Sequence, residues 1–223
     1  MALGFRIYPI QERVSAELID AFRNIPVANV SDVMSRLAGA RLRPMHGKGG
    51  MAGPAFTVRT RPGDNLMVHK AIDLAEPGDI IIVDAGGDLT NAIIGELMVA
   101  HAVRRRLGGI VINGAVRDFE TINGGNFPIF AAGVTHRGPY KDGPGEINVP
   151  IAIEGMTIVP GDLVLGDADG IVAVPRNEAE QIHQAAASKH RAEEAQMAAI
   201  RDGTDDRSWI DAILTRVGCE VFT

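Results

Sequence analysis

Apolar residues recur along this chain in two alternating rhythms. Residues 95 to 107 place Leu97, Val99, Ala100, Val103 and Leu107 at helical spacing and predict a helix that stops at Gly108-Gly109. GIVIN (109 to 113) follows as a continuous apolar run of the kind a buried strand shows. The same alternation precedes it: AFTVRT (55 to 60) reads as a strand, GDNLMVHKAIDLA (63 to 75) as a helix, and DIIIVDAGG (79 to 87) as a strand ending in glycines. Strand and helix in turn predict an α/β fold.

Upstream, SAELIDAFRN (15 to 24) and residues 31 to 38 predict short helices, with Ser31 capping DVMSRL. RLRPMHGKGGMAGP between them and the first strand is too rich in glycine and proline for regular structure. Downstream, PIFAAG (128 to 133), INVPIAI (147 to 153), DLVLGD (162 to 167) and GIVAVP (170 to 175) predict strands with no helix between them, hence a second or a mixed sheet. Residues 176 to 201 form a charged, alanine-rich helix ended by Gly203, and RSWIDAILTRVG closes the chain as another. Residues 1 to 175 thus make one α/β domain. Residues 176 to 223 make a helical extension whose narrow apolar stripe suits packing on the core or on a neighbouring subunit.

Pro77-Gly78-Asp79 and Pro160-Gly161-Asp162 each launch an apolar strand that ends in aspartate. Shared turn chemistry accounts for the likeness, proline fixing the first corner and glycine taking the positive φ of a type II turn.

Element lengths carry the first functional inference. From Glu96 to Leu107 a helix climbs about 16 Å, and five or so residues of strand return about the same distance. Glu96 therefore meets Arg117-Asp118 at the strand's C-terminal end, where open α/β sheets bind ligands.

Composition narrows the partners. The chain has 223 residues, 46% of them hydrophobic, and a formal net charge of -6, which suits one sizeable core and argues against a nucleic-acid backbone as ligand. The basic run Arg104-Arg105-Arg106 falls in a last helical turn, where cations complement the dipole. One cysteine, Cys219, leaves no internal disulfide and no zinc cluster. The N-terminus lacks a signal-peptide core and no apolar run is long enough for a membrane span, so a soluble cytoplasmic protein is expected. Asn29-Val30-Ser31 matches a glycosylation sequon, read here as a helix cap instead.

Glu96 and Asp118 are hard oxygen donors which, with water, could hold Mg²⁺ or Mn²⁺; the plainer alternative is an ion pair between Glu96 and Arg117 at a helix start. Arg117 offers a planar fork of donors to an anionic group. The backbone N–H groups of Glu96, Leu97 and Met98 point at the helix mouth, and Gly95 lets a ligand approach the main chain. Lys70 and His69 in LMVHKAIDLA, and His136 in GVTHRGPYKDGPGE, read as structural or exposed rather than as Schiff-base or acid–base groups.

Glu96, twenty residues and Arg117-Asp118 in a GAVRD setting, together with IGELM, VSDVMSRL, PGDIIIVDAGG and PGDLVLGDADGIVAVP, resemble the family that contains 4-hydroxy-4-methyl-2-oxoglutarate/4-carboxy-4-hydroxy-2-oxoadipate aldolases and the regulator of ribonuclease E activity A. The resemblance implies a three-layer β/β/α sandwich of swivelling-domain type with N-terminal helices, assembled as a homotrimer or homohexamer with sites at subunit boundaries. It implies a class II type aldolase that releases pyruvate from 4-hydroxy-2-oxo dicarboxylic acids and also decarboxylates oxaloacetate. Asp118 would be the direct metal ligand and Glu96 a ligand through metal-bound water. Arg117 would bind the keto or enolate oxygen, with Gly95, Leu97 and Met98 around the substrate carboxylate. Glu193, or Glu194 beside it, would reach a neighbouring site as proton donor. The family pattern Arg-Asp-x-x-acid is broken here, since RDFET places Glu120 one position early and Thr121 where the acid would stand. The alternative within the resemblance is a non-enzymatic trimer that binds a ribonuclease, disfavoured by the fifty-residue C-terminal extension. A methyltransferase reading fails because IIIVDAGGDL lacks a G-x-G phosphate loop.

Overall fold

The protein is described from a computed structural model covering residues 4–222. Its strands are β1 (Phe5–Ile7), β2 (Arg43–Pro44), β3 (Met51–Thr60), β4 (Ile80–Asp84), β5 (Ala92–Ile94), β6 (Gly109–Val116), β7 (Ile129–Val134), β8 (Gly145–Ile147), β9 (Ile151–Ile153), β10 (Met156–Ile158), β11 (Leu163–Asp167) and β12 (Gly170–Val174). Its helices are α1 (Ala16–Phe22), α2 (Val27–Val33), α3 (Leu66–Leu74), α4 (Glu96–Arg104), α5 (Phe119–Asn123), α6 (Ala179–Asp202) and α7 (Ser208–Arg216).

A ten-stranded mixed sheet has the main path β1-β8-β3-β4-β6-β7-β2, with β5 branching from β6 and β11–β12 from β3; β3, β4, β6 and β7 are parallel at its centre. The long strand β3 belongs to two layers. Its first residues, Met51 to Pro54, pair antiparallel with β11, and its remainder pairs with β4 and β8. With β11–β12 and the β9–β10 hairpin, a second β layer lies under the first.

The apolar runs are continuous because these strands are buried on both faces. Ile81, Val83, Ile110, Ile112 and Ile129 point to the layer of α3, α4 and α5, whereas Ile80, Ile82, Val111 and Phe130 point to the second sheet. In that sheet Ile171 and Ala173 face inward, while Leu163, Leu165, Val172 and Val174 face α1, α2 and the start of α6. The expected α/β architecture of stacked β layers with N-terminal helices and a C-terminal helical extension is thereby observed.

Several local expectations give way to long-range partners. α2 begins at Val27, not after Ser31: Pro26 precedes it, and the Val27 N–H donates to Asp167 Oδ2 on β11 at 2.9 Å. Ser31 lies inside the helix and its hydroxyl donates to the Ala38 carbonyl. The glycine- and proline-rich run 41 to 54 is partly regular, holding β2 and the first four residues of β3. Gly53 fits there because a Cβ would overlap the Gly78 carbonyl. INVPIAI is two strands, broken at Asn148, whose φ is 56°. α4 ends at Arg104, and Arg106 rather than a glycine takes the left-handed conformation, with φ 59°. Gly108 instead permits contact with the Gly78 carbonyl. Arg105, in the basic run, donates to the carbonyls of Asp73 and Ala75 at the end of α3.

The two Pro-Gly-Asp turns are alike in detail. Gly78 and Gly161 both have φ 90°, and Asp79 and Asp162 each accept a backbone N–H from three residues back at 2.9 Å. Among the described residues no helix is long and apolar enough to cross a membrane.

Candidate functional site

The mouth of the site lies where β5 passes into α4 and β6 passes into α5. Gly95, the N-cap of α4, is buried and extended (φ −145°), so backbone freedom does not explain it. Close approach does: a Cβ here would overlap Asp118 Oδ2 and lie 3.0 Å from Arg117 Cγ. Asp118 caps α5 in the left-handed region, φ 57° and ψ 38°. That conformation costs an L-residue roughly 1–2 kcal/mol and is least costly for Asn or Asp. Strain of this sort persists where surrounding structure imposes it, and here it turns the carboxylate back across the start of α4. Asp118 Oδ2 accepts the Glu96 N–H at 3.0 Å and lies 3.7 Å from Arg117 Nε. The alternative ion pair between Glu96 and Arg117 does not occur among the described residues, and the Glu96 side chain is exposed.

The helix mouth offers fewer donors than its sequence suggests. Glu96 spends its N–H on Asp118, and the Met98 N–H lies 3.1 Å from the Gly95 carbonyl. Leu97 is left as the N–H without a partner among the described residues, at the positive end of the α4 dipole.

Gly95, Leu97, Met98, Arg117 and Asp118 line one cleft of about 100 Å³, together with Asn65, His69, Pro139 and Lys141. That volume admits about three waters or a small organic acid. Asn65 is 2% exposed; its Nδ2 donates to the Ile93 carbonyl at 2.9 Å, while its Oδ1 has no partner. A buried acceptor left unsatisfied is costly, and this one belongs to a residue that lines the cleft. Burial and the nearby Lys141 and His101 hold the His69 imidazole below its ordinary range, which favours its neutral form. Lys141 and Arg117 make the rim cationic.

Sequence reasoning missed Asn65 and Lys141 and set His69 aside. The signal for Lys141 was remote. Its loop is pinned to the turn before α3 by the fully buried Asp64, whose Oδ2 accepts the N–H groups of Asp142 and Gly143 at 2.8 Å each. The backbones of Tyr140 and Gly63, and of Asn65 and Tyr140, are also bonded. His136 and Lys70 do not line the cleft.

Glu193 lies elsewhere in the chain, on α6, bonded to Asn29 and Lys189, and Glu194 is 3.7 Å from His190. Neither borders the cleft of its own chain. A larger depression carries less chemistry: the groove of about 600 Å³ between α4 and α5 is almost wholly apolar, with Glu96 and Thr121 at its edge.

The described residues contain no group of three or more His, Cys, Asp or Glu side chains placed to hold a metal. A hard divalent cation that keeps most of its waters needs only one or two carboxylates, and the site meets that lesser demand. Asp118 Oδ1 has no hydrogen-bond partner among the described residues, whereas the Glu96 side chain is exposed at the start of α4 and does not line the cleft.

The chain matches known proteins over most of its length. A family model described as Aldolase/RraA, of the RraA-like type, matches residues 27–173, a span that includes every cleft residue. A protein of Halalkalibacterium halodurans named "Putative 4-hydroxy-4-methyl-2-oxoglutarate aldolase" is 41% identical over 188 residues, covering 83% of this chain and 90% of that one. Among solved structures, an uncharacterised protein from Pseudomonas syringae superposes with a TM-score of 0.79 at 26% identity, over 86% of this chain and 96% of that one. The RNA-processing inhibitor RraA from Thermus thermophilus superposes with a TM-score of 0.62 at 30% identity, over 67% of this chain and 92% of that one. On matched span, identity and architecture together, the chain belongs to the RraA-like family of aldolases and RraA proteins.

Proposed function

We propose that the protein is a divalent-metal-dependent carbon–carbon lyase that cleaves 4-hydroxy-2-oxo dicarboxylic acids to pyruvate and a second oxo acid, and that it also decarboxylates oxaloacetate. One observation carries this reading: Arg117, Asp118 and the free N–H of Leu97 converge on a single small cleft whose rim is cationic. Names given to relatives support it.

Each group has a task that the chemistry requires. The 2-oxo acid carboxylate sits at the start of α4, where the Leu97 N–H and the helix dipole favour an anion. The Arg117 guanidinium faces the keto oxygen and stabilises the negative charge that develops there as the carbon–carbon bond breaks. Lys141 faces the second carboxylate, and Asn65 lines the wall beside it. Asp118, with Glu96 near it, would hold Mg²⁺ or Mn²⁺, which would supply Lewis-acid stabilisation of the developing negative charge when bound. Closed symmetry as a homotrimer or homohexamer would let α6 of one subunit bring Glu193 to the cleft of the next.

The test is pyruvate release from a panel of 4-hydroxy-2-oxo dicarboxylates and oxaloacetate. Release is expected to stop after exhaustive chelation and to return with Mg²⁺ or Mn²⁺. Full turnover after chelation would refute the metal role.

A further inference from the structure

Two segments that line the cleft are set by one buried side chain that does not line it. Asp64, 0% exposed, stands just before α3 and outside the ring of cleft residues. Donors reach its carboxylate from both segments. Oδ1 accepts the Leu66 N–H at 3.0 Å, whereas Oδ2 accepts the N–H groups of Asp142 and Gly143 at 2.8 Å each and lies 3.1 Å from Arg61 Nη2. A carboxylate has acceptor sites for about four donors, so both oxygens are fully used.

The Leu66 bond has a consequence for Asn65. Asn65 is the N-cap of α3, where an asparagine side chain ordinarily bonds the first turn, yet it makes no such bond. Asp64 caps the helix start instead, which frees the Asn65 side chain to donate to the carbonyl of Ile93 in the cleft wall. The Asp142 and Gly143 bonds act on the other segment. They fix the chain just after Lys141, and the backbone bridge between Asp64 and Tyr140 fixes it just before. Lys141 is exposed and has no ion-pair partner among the described residues, whereas Arg117, the other cation of the cleft wall, faces Asp118. The grip of Asp64 therefore decides where an unpaired ammonium stands.

We propose that Asp64 is a positioning residue which, acting through Lys141, sets the preference of the cleft for a substrate with a second, distal carboxylate. The proposal rests on the lyase reading above and deepens it. Arg117 and the Leu97 N–H serve the 2-oxo acid end, which every candidate substrate shares, so selection falls to the far end. A lysine whose backbone is held before the substrate arrives loses less freedom on binding, and the grip strengthens the contact without adding one.

The test compares ligand pairs in which a methyl group replaces the distal carboxylate, with Mg²⁺ present throughout. Kinetics use 4-hydroxy-2-oxoglutarate against 4-hydroxy-2-oxopentanoate, and calorimetry uses 2-oxoglutarate against 2-oxopentanoate, which lack the hydroxyl needed for cleavage. In both, Lys141→Met is expected to lower the preference for the dicarboxylate about tenfold, as for loss of one hydrogen bond between charged groups. Lys141→Arg should keep most of the preference. Asp64→Ala should lower it by a similar factor, and the double variant by no more than either alone. If thermal melts show that the alanine variant does not fold, Asp64→Asn, which keeps one oxygen for the N–H groups, gives a smaller drop in the same ratio. A merely structural Asp64 would slow both substrates alike. An unchanged preference in the folded variant, losses that add in the double variant, or a parent protein with no preference for the dicarboxylate overturns the proposal. A protein that binds 2-oxoglutarate with the expected dependence on both residues, yet releases no pyruvate from any substrate, overturns the lyase reading and leaves the positioning role standing.

Discussion

Asp118→Asn is expected to lower kcat/KM for pyruvate release by about a hundredfold or more while leaving the melting temperature close to that of the parent. The substitution conserves size, and asparagine tolerates the left-handed conformation as readily as aspartate (φ 57° here). Its amide oxygen can still accept the Glu96 N–H, so the start of α4 keeps its hydrogen bond. What disappears is the negative charge beside Arg117, and with it the direct carboxylate ligand for a cation. Loss of one preorganised charge-stabilising group costs roughly 10²–10³ in rate. Steady-state kinetics across a Mg²⁺ titration, with a thermal melt on the same sample, check this. Turnover within a few-fold of the parent and an unchanged metal response would remove Asp118 from the site.

Gly95→Ala should be nearly as damaging, for a different reason. Alanine accepts the extended backbone of this position, so the helix start itself is not strained. The new methyl group instead occupies the space of Asp118 Oδ2 and crowds Arg117 Cγ and Nε, which lie 3.0 and 3.1 Å from the added atom. Both side chains are partly exposed and can swing away, which limits the stability cost to about 1 kcal/mol. Displacing both catalytic groups by about 1 Å costs roughly a hundredfold in kcat/KM. An active Gly95→Ala enzyme would mean that Asp118 and Arg117 do not work in the geometry described.

These two variants touch the part of the site that was legible from sequence. Glu96 and Arg117-Asp118 could be brought together because a helix and a strand of matched length join them, and both are marked by local periodicity. The layered fold was legible for a similar reason, since strands buried on both faces appear as unbroken runs such as IIIV and IVAV. Partners distant in sequence were not legible. The start of α2 is set by Asp167, 140 residues away, so Ser31 was mistaken for its cap. Lys141 reaches the cleft only because Asp64 grips its loop from 78 and 79 residues upstream. Asn65 and His69 looked like ordinary positions of an amphipathic helix, and the unpartnered oxygen of Asn65 is visible only in three dimensions. The Met98 N–H was counted as free because sequence cannot show that the first turn of α4 tightens onto the Gly95 carbonyl.

Pro26 and Gly203 illustrate the same division at helix ends. Gly203, with φ 68°, ends α6 where its own conformation dictates, and local chemistry sufficed to find it. Pro26 starts α2 with a cap borrowed from another layer, and local chemistry pointed to Ser31, further along the chain.

The most direct test of the lyase reading is product stoichiometry with 4-hydroxy-4-methyl-2-oxoglutarate in D₂O with Mg²⁺. Cleavage between C3 and C4 through an enolate yields two molecules of pyruvate per substrate, and the one derived from the enolate takes its new methyl hydrogen from solvent as deuterium. Quantitative ¹H NMR is expected to show that two-to-one ratio with monodeuterated methyl in half of the product. Substrate that survives unchanged at high enzyme concentration, or pyruvate formed without deuterium, would contradict the account.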